Sequence, residues 1–265
     1  MERDVRSHLE LTVTEPADLV LAIAVARQYA PARETFTATL DGAPVTATEF
    51  TDHSGTRFHR LKAQPGALVI DYTAHLSGLG DASPGEEYDL FVSSLPSRYV
   101  ESDVLAPTAA AEFTGIAPGA DLLAAVSSWV GTQLTYVPGS SGPTDGAVQT
   151  LLGRQGVCRD YAHLTAALLR AEGVPARVAA VYAPGLDPME FHAVAEAWIE
   201  GAWRVVDATA LAPRQSLVRI ATGRDAADTA FLTVLSGRAD LDALEVTAVV
   251  DDLVYDDVTQ LVELR

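Results

Sequence analysis

The hydrophobic pattern of this chain changes character near residue 107, and that change limits the folds it can adopt. Residues 6–100 contain short runs rich in Val, Thr, Leu and Phe, separated by turn-forming pairs such as Asp41-Gly42 and Pro65-Gly66. Many short strands at this spacing predict an N-terminal β-sandwich. The predicted strands are residues 8–14, 18–26, 35–40, 57–61 and 67–76.

After residue 107 the pattern becomes helical. The spacing of apolar residues predicts helices over 121–134, 147–152 and 158–172, the last ended by Gly173 with Pro175 just beyond it. Three strands follow, at 176–182, 191–199 and 203–207, and the tail offers one or two more, at 244–254 and 258–264. The sequence therefore predicts an α+β protein with a β-sandwich domain, residues 1–106, and a second domain, residues 107–265, in which a helix packs on an antiparallel sheet.

Composition narrows the range of partners and compartments. The chain has 265 residues, 48% of them hydrophobic and 20% charged, which is enough to bury a globular core. A net charge of −18 opposes binding to nucleic acid or to an anionic membrane surface. No run approaches the roughly 20 apolar residues of a membrane span, and the N-terminus lacks the pattern of a signal peptide. Its lone cysteine excludes an internal disulfide and a multi-thiolate metal site, so we expect a cytoplasmic protein.

The one thiol, Cys158, follows Gly156-Val157 and opens the predicted helix 158–172. At a helix N-terminus, the dipole and the unpaired backbone N–H groups favour a thiolate and can hold an oxyanion. A lone cysteine is also often a small buried core residue, and the position alone leaves both interpretations open.

A nucleophilic cysteine needs a base, and the base needs a group that orients it. His192 begins a largely apolar strand, and Asp207 ends the next one. The tight turn at Glu200-Gly201 joins these two strands and would bring His192 and Asp207 close together across the sheet. Either residue could instead be structural, His192 as a satisfied core histidine and Asp207 as the cap of the following turn.

Three sequence blocks, in order, resemble bacterial transglutaminase-like proteins. The blocks are Gly156-Val-Cys-Arg-Asp-Tyr-Ala-His-Leu164, Phe191-His-Ala and Val206-Asp-Ala-Thr209, with 34 residues from Cys158 to His192 and 15 from His192 to Asp207. The loop at residues 136–143 and the β-rich N-terminal part also resemble that group. The likeness is sharp over residues 136–209 and loose elsewhere.

The resemblance implies a papain-like core, with Cys158 as nucleophile, His192 as general base and acid, and Asp207 as the orienting residue. It further implies a thioester on Cys158 that is resolved by water or by an amine. Hydrolysis of a protein or peptide substrate is favoured, because nothing in the sequence reveals an amine site. Crosslinking or deamidation of protein glutamine, and a catalytically silent scaffold with the same fold, are the alternatives. No metal or organic cofactor is implied.

The remaining residues of these blocks have smaller expected roles. Tyr136 occupies a position where a side chain often lines the oxyanion site, so it is a candidate donor; a core tyrosine is the alternative. Asp160 is expected to cap the helix start or to pair with Arg159. His163 lies roughly 140° round the helix from Cys158 and should point away from the thiol.

Two residues near the histidine depart from the pattern of the resembled family. Val194 stands where many relatives have a tryptophan, which would reshape the pocket wall, and Glu190 adds a charge beside Phe191-His192. Neither departure removes a reacting group.

Overall fold

A computed structural model describes residues 1–265, which form thirteen strands, six helices and one 3-10 turn. The strands are β1 (Glu2–Leu21), β2 (Arg33–Leu40), β3 (Ala43–Pro44), β4 (Thr48–Thr51), β5 (Arg57–Ala63), β6 (Gly66–Ser77), β7 (Thr135–Tyr136), β8 (Gln155–Gly156), β9 (Ala176–Tyr182), β10 (Phe191–Ile199), β11 (Ala202–Val206), β12 (Val218–Gly223) and β13 (Leu232–Val250). The helices are α1 (Glu87–Val92), α2 (Ser102–Phe113), α3 (Ala120–Gln133), α4 (Ala147–Gly153), α5 (Cys158–Ala171) and α6 (Ala226–Thr229), and the turn is Arg214–Ser216.

The N-terminal strands form one seven-stranded sheet, ordered β3-β2-β6-β1-β5-β4, with β13 also paired to β1. β1 buries alternate side chains over most of its length, as a strand does when one face covers a core. One edge of β1 is shared between β6 and β5, and the other pairs with β13 from Arg3 opposite Val250 to Leu21 opposite Leu232. The sheet curls around its own core, and this continuous curled sheet takes the place of two separate sandwich sheets.

The second half of the chain builds a four-stranded antiparallel sheet, ordered β11-β10-β9-β12, with α5 packed on one face. Leu164 and Leu168 of α5 share a core with Ala195 and Ala197 of β10, where the small side chains let the helix approach the sheet closely. This packing fixes the first residue of α5, Cys158, relative to the start of β10.

The two sheets also pack against each other. Tyr182 of β9 and Val218 and Ile220 of β12 belong to the same buried cluster as Leu9 and Leu19 of β1. The strands behind the candidate site are therefore supported by the curled N-terminal sheet.

The α+β class predicted from the sequence is confirmed, and β9 and β10 have the predicted bounds. The tail differs from the prediction: β13 spans Leu232–Val250, and residues 258–264 form no strand, although the Val205 N–H donates to the Val262 carbonyl at 2.8 Å. The division into domains 1–106 and 107–265 remains a prediction. Residue 106 lies inside α2, and the first sheet takes β13 from the second range.

The contact between the sheets can be tested at Tyr182, whose buried hydroxyl donates to the Ile23 carbonyl at 2.8 Å and lies 3.1 Å from the Ser7 hydroxyl. Tyr182→Phe should lower the free energy of unfolding by about 1–3 kcal/mol, because two buried polar groups lose a partner. Urea unfolding measures the change. Tyr255→Phe, at a side chain that is 92% exposed, is the control and should have an effect within about 0.5 kcal/mol. If the two variants are equally stable, the Tyr182 hydrogen bonds do not stabilise the contact between the sheets.

Candidate active site

Cys158 is the first residue of α5, and its thiol is free and buried, with 9% of the residue exposed. The start of the helix is held by Asp160, whose carboxylate accepts the Val157 N–H at 2.7 Å and lies 3.3 Å from the Arg159 guanidinium. The predicted capping role of Asp160 is confirmed. The cap fixes the first turn of α5 and with it the direction of the Cys158 side chain.

His192 and Asp207 are joined by a hydrogen bond of 2.8 Å between Nε2 and Oδ2. His192 is the second residue of β10, and Asp207 directly follows β11, which pairs with β10 through Ala195 and Val206. Both side chains are buried, and Nδ1 of His192 has no hydrogen-bond partner. The structure thus joins the predicted imidazole and carboxylate and leaves the second ring nitrogen free.

The charge of Asp207 sets the protonation of His192. Burial of the ring disfavours the imidazolium, but the Asp207 carboxylate and its hydrogen bond, together with the neighbouring Cys158, raise the pKa of His192 to about 10. Near neutral pH the ring is therefore a cation next to the thiol.

Asp207 is itself held in place by the turn that follows it. Its Oδ1 accepts the Thr209 backbone N–H at 2.9 Å and the Thr209 hydroxyl at 2.6 Å. Burial alone would raise the pKa of Asp207, yet His192 and Thr209 lower it below its usual value. The carboxylate is therefore ionised and fixed in orientation, with Oδ2 directed at His192.

Tyr136 lies beside the chain segment that leads into Cys158. It forms the short parallel strand β7 opposite Gly156 of β8, and its hydroxyl is 3.4 Å from Glu190 Oε1. Burial and the neighbouring Cys158 and Glu190 raise the pKa of Tyr136, so the phenol stays neutral. Tyr136 does not line the cavity at Cys158, and Glu190 reaches it from the residue directly before β10, the strand that carries His192.

His163 is buried in α5 and has a structural contact of its own. Its Nε2 accepts the Ala226 N–H at 3.1 Å, and its ring stacks on Tyr99 with centroids 5.5 Å apart. Burial lowers the pKa of His163 to about 4, which keeps it neutral as an acceptor requires. It anchors the segment that begins at Ala226.

A cavity of about 530 Å³ opens at Cys158 and His192. Its other walls come mainly from β9, from the start of β10 and from residues 226–233, which include α6 and the first residues of β13. The sequence assigned no role to residues 226–233. Their only sequence signal was the apolar run Ala230-Phe-Leu. Their position beside Cys158 depends on the pairing of β13 with β1, which the sequence does not reveal.

Val194 is not part of this cavity. It is packed in a separate buried cluster with Ala179 and Val181 of β9 and Val205 of β11. The expectation that Val194 reshapes the pocket wall is therefore wrong, because its side chain is enclosed between strands and not directed at the site.

Glu196, on β10 four residues after His192, forms a buried ion cluster that sequence reasoning missed. Its carboxylate binds Arg219 through two contacts of 2.6 Å and Arg177 Nε at 2.8 Å. Arg177 also lies over the Trp203 ring, 3.9 Å from the centroid. An acid in the middle of an apolar strand was the available signal, and its two partners on β9 and β12 become apparent only with the strand order.

No group of three or more His, Cys, Asp or Glu side chains is arranged to hold a metal ion. The residues that meet at Cys158 are a thiol, an imidazole and a carboxylate, which suit nucleophilic chemistry. None of the helices combines the length and the apolar character that crossing a bilayer requires.

A thiol at the head of a helix, beside a buried imidazole–carboxylate pair on adjacent strands, defines a candidate thiol-enzyme site. Residues 107–208 match the sequence model of the transglutaminase-like superfamily. A crystal structure from Cytophaga hutchinsonii, described as a candidate cysteine protease, is similar over 99% of this chain and 96% of its own, with 32% identity and a TM-score of 0.89. The chain belongs to the transglutaminase-like superfamily, a family of thiol enzymes.

Two mycobacterial relatives match more narrowly. An uncharacterized protein of Mycobacterium leprae is 32% identical over 131 residues, which are 45% of this chain and 47% of the relative. One from Mycobacterium tuberculosis is 35% identical over 106 residues, 37% of this chain and 34% of the relative. The chain spans less than half the length of these curated relatives.

Proposed function

We propose that this protein is a thiol-dependent acyl-transfer enzyme that acts on amide bonds of proteins or peptides. Cys158 is the nucleophile, His192 the general acid and base, and Asp207 the residue that orients His192. The proposal rests on one observation above all, the 2.8 Å hydrogen bond between buried Asp207 and His192, which lines the same cavity as Cys158. The hydrogen bond leaves His192 Nδ1 free for the thiol.

The first half of the reaction makes a thioester. The Cys158 thiolate attacks the carbonyl carbon, and the C=O electron pair moves to oxygen. The N–H groups at the start of α5 are the donors for that oxyanion. Collapse breaks the C–N bond, and His192 Nδ1–H gives its proton to the departing amine.

The second half returns the enzyme to its starting state. Neutral His192 takes a proton from water as the water oxygen attacks the thioester carbonyl. The C–S bond then breaks, releasing the acid and restoring the thiolate next to the imidazolium. Asp207 stabilises the cation in both halves and does not itself take the proton. Water is favoured over an amine as the acceptor, because the cavity shows no acidic residue that would bind a cationic amine.

The function can be tested by trapping the thioester. Wild-type protein treated with an N-acetylated amino-acid p-nitrophenyl ester at neutral pH should gain one acyl mass that neutral hydroxylamine removes. Cys158→Ala should gain none. Its value as a control is unambiguous because the chain has one cysteine.

Competing acceptors then separate hydrolysis from crosslinking. With a primary amine present, release of the free acid supports hydrolysis, and an amide product supports transamidation. If the wild-type thiol reacts no faster than free cysteine and no acyl mass appears, the protein is a silent scaffold and the proposal fails.

A further inference from the structure

The cavity beside Cys158 is apolar well beyond what thiol chemistry requires. Twelve of its seventeen lining residues are hydrophobic, and its volume of about 530 Å³ lies within the range of roughly 300–1,000 Å³ that is usual for ligand sites. Cys158 and His192 are two of the seventeen lining residues, and most of the others carry no reacting group.

Two phenylalanine rings line the cavity, in addition to Tyr99. Phe191, directly before His192, packs on Phe231 with ring centroids 5.3 Å apart, and Tyr182 supports Phe191 from behind at 5.4 Å. Phe191 and Phe231 are only half-buried, while Tyr182 is fully enclosed. The two half-buried rings therefore have faces or edges free to pack on an incoming ring.

The one charged residue in the lining, apart from the imidazolium, is Arg159; its Nη2 is engaged, and its Nε is buried without a hydrogen-bond partner. Arg159 Nη2 donates to the Gly142 carbonyl at 2.7 Å and to the Ser141 hydroxyl at 3.0 Å, which ties the guanidinium to the loop over the site. A carboxylate or carboxamide side chain in the cavity would lose water and find mainly methyl and phenyl groups. Such a loss is unfavourable.

We propose that this cavity is a specificity pocket for a large apolar, preferably aromatic, side chain on the acyl part of the substrate. Phe231 and Phe191 are the residues that select it. The inference rests on the function proposed above, since the side chain is carried by the acyl group that Cys158 attacks. Burying such a side chain, compared with alanine, raises the acylation rate constant by about 10–100-fold.

The test compares rates of Cys158 acylation by N-acetylated p-nitrophenyl esters of Phe, Leu, Ala, Gln and Glu. Each rate is divided by the rate with N-acetylcysteine, so that the intrinsic reactivity of each ester cancels. For wild type we expect Phe to exceed Ala by about 10–100-fold, with Gln and Glu no faster than Ala. Phe231→Ala should reduce the Phe preference to a few-fold.

Two further variants guard against a folding artefact. Ala180→Leu fills the cavity from β9 and should also remove the preference for Phe. Phe50→Ala removes an exposed ring of the N-terminal sheet, stacked on Phe58 at 5.2 Å, and should leave every rate unchanged.

The outcomes separate the two proposals. Acylation at equal normalised rates by all five esters overturns the specificity pocket and leaves the thiol enzyme standing. A preference for Glu overturns it in favour of Arg159 as the selecting residue. If no ester acylates Cys158, the proposed function fails and the pocket assignment fails with it.

Discussion

Replacing Asp207 by asparagine is expected to lower kcat/KM by about 10⁴-fold, the size of effect found when a triad carboxylate is neutralised. Thr209 donates two hydrogen bonds to Oδ1 of Asp207, and these would hold the asparagine oxygen in that place. The amide NH₂ would then face His192 Nε2, which must become an acceptor. The ring proton moves to Nδ1, and His192 can no longer take a proton on the side of Cys158.

The same substitution should lower the pKa of His192. Because that pKa is raised from 6.5 to about 10 in the folded protein, the pairing stabilises the fold fully below about pH 6.5. Its contribution is lost as the pH rises through about 10. Asp207→Asn should therefore flatten the pH dependence of unfolding free energy between those limits, and NMR titration of the His192 ring reports the shift directly.

Thr209→Val is the matched control. It removes the hydroxyl that donates to Asp207 at 2.6 Å but keeps the carboxylate charge and the backbone donor. We expect a loss of kcat/KM of about 10- to 100-fold, well short of the loss in Asp207→Asn, since a hydrogen bond to a charged group contributes roughly 1.5–3 kcal/mol. An Asp207→Asn enzyme within 10-fold of wild type, or one with an unchanged His192 pKa, would show that Asp207 only caps its turn.

The elements that the sequence could predict are those with a strong local pattern. α5 has apolar residues at helical spacing and ends just before Gly173, and β9 and β10 are largely apolar runs bounded by turn residues. α2 was harder, because Pro107 lies inside it and hides the helical pattern before residue 107. Local patterns also placed Cys158, His192 and Asp207, since each stands at the end of such an element.

The parts that could not be predicted depend on contacts between distant segments. β13 pairs with β1 across more than 200 residues, and the sequence of neither strand identifies the other as its partner. The wall at residues 226–233 follows from that pairing, and the partners of Glu196 follow from the order β10-β9-β12 in the second sheet. Sequence blocks therefore located the reacting groups but could not describe the cavity around them.

The largest stability effect is expected at Glu196. The carboxylate is fully buried between Arg177 and Arg219, which are themselves almost completely enclosed. Glu196→Ala leaves two guanidinium groups in the core without an anion, which costs about 3–5 kcal/mol. Urea is the suitable denaturant, because guanidinium salts would screen the charges under test. Asp240→Asn, in an exposed pair with Arg238, should change the free energy of unfolding by less than about 1 kcal/mol.

Acid provides an independent check on the same cluster. Burial would raise the pKa of Glu196, but Arg177 and Arg219 overcome it and lower the pKa to about 2. The cluster therefore stabilises the fold fully above the ordinary glutamate pKa of about 4.3, and the contribution is lost as the pH falls through about 2. The difference in unfolding free energy between wild type and Glu196→Gln should be constant from pH 7 to about 5 and shrink steadily below that. A difference that does not change between pH 5 and pH 2 would mean that Glu196 stabilises by shape alone, and that its charge does not hold β10 and His192 in place.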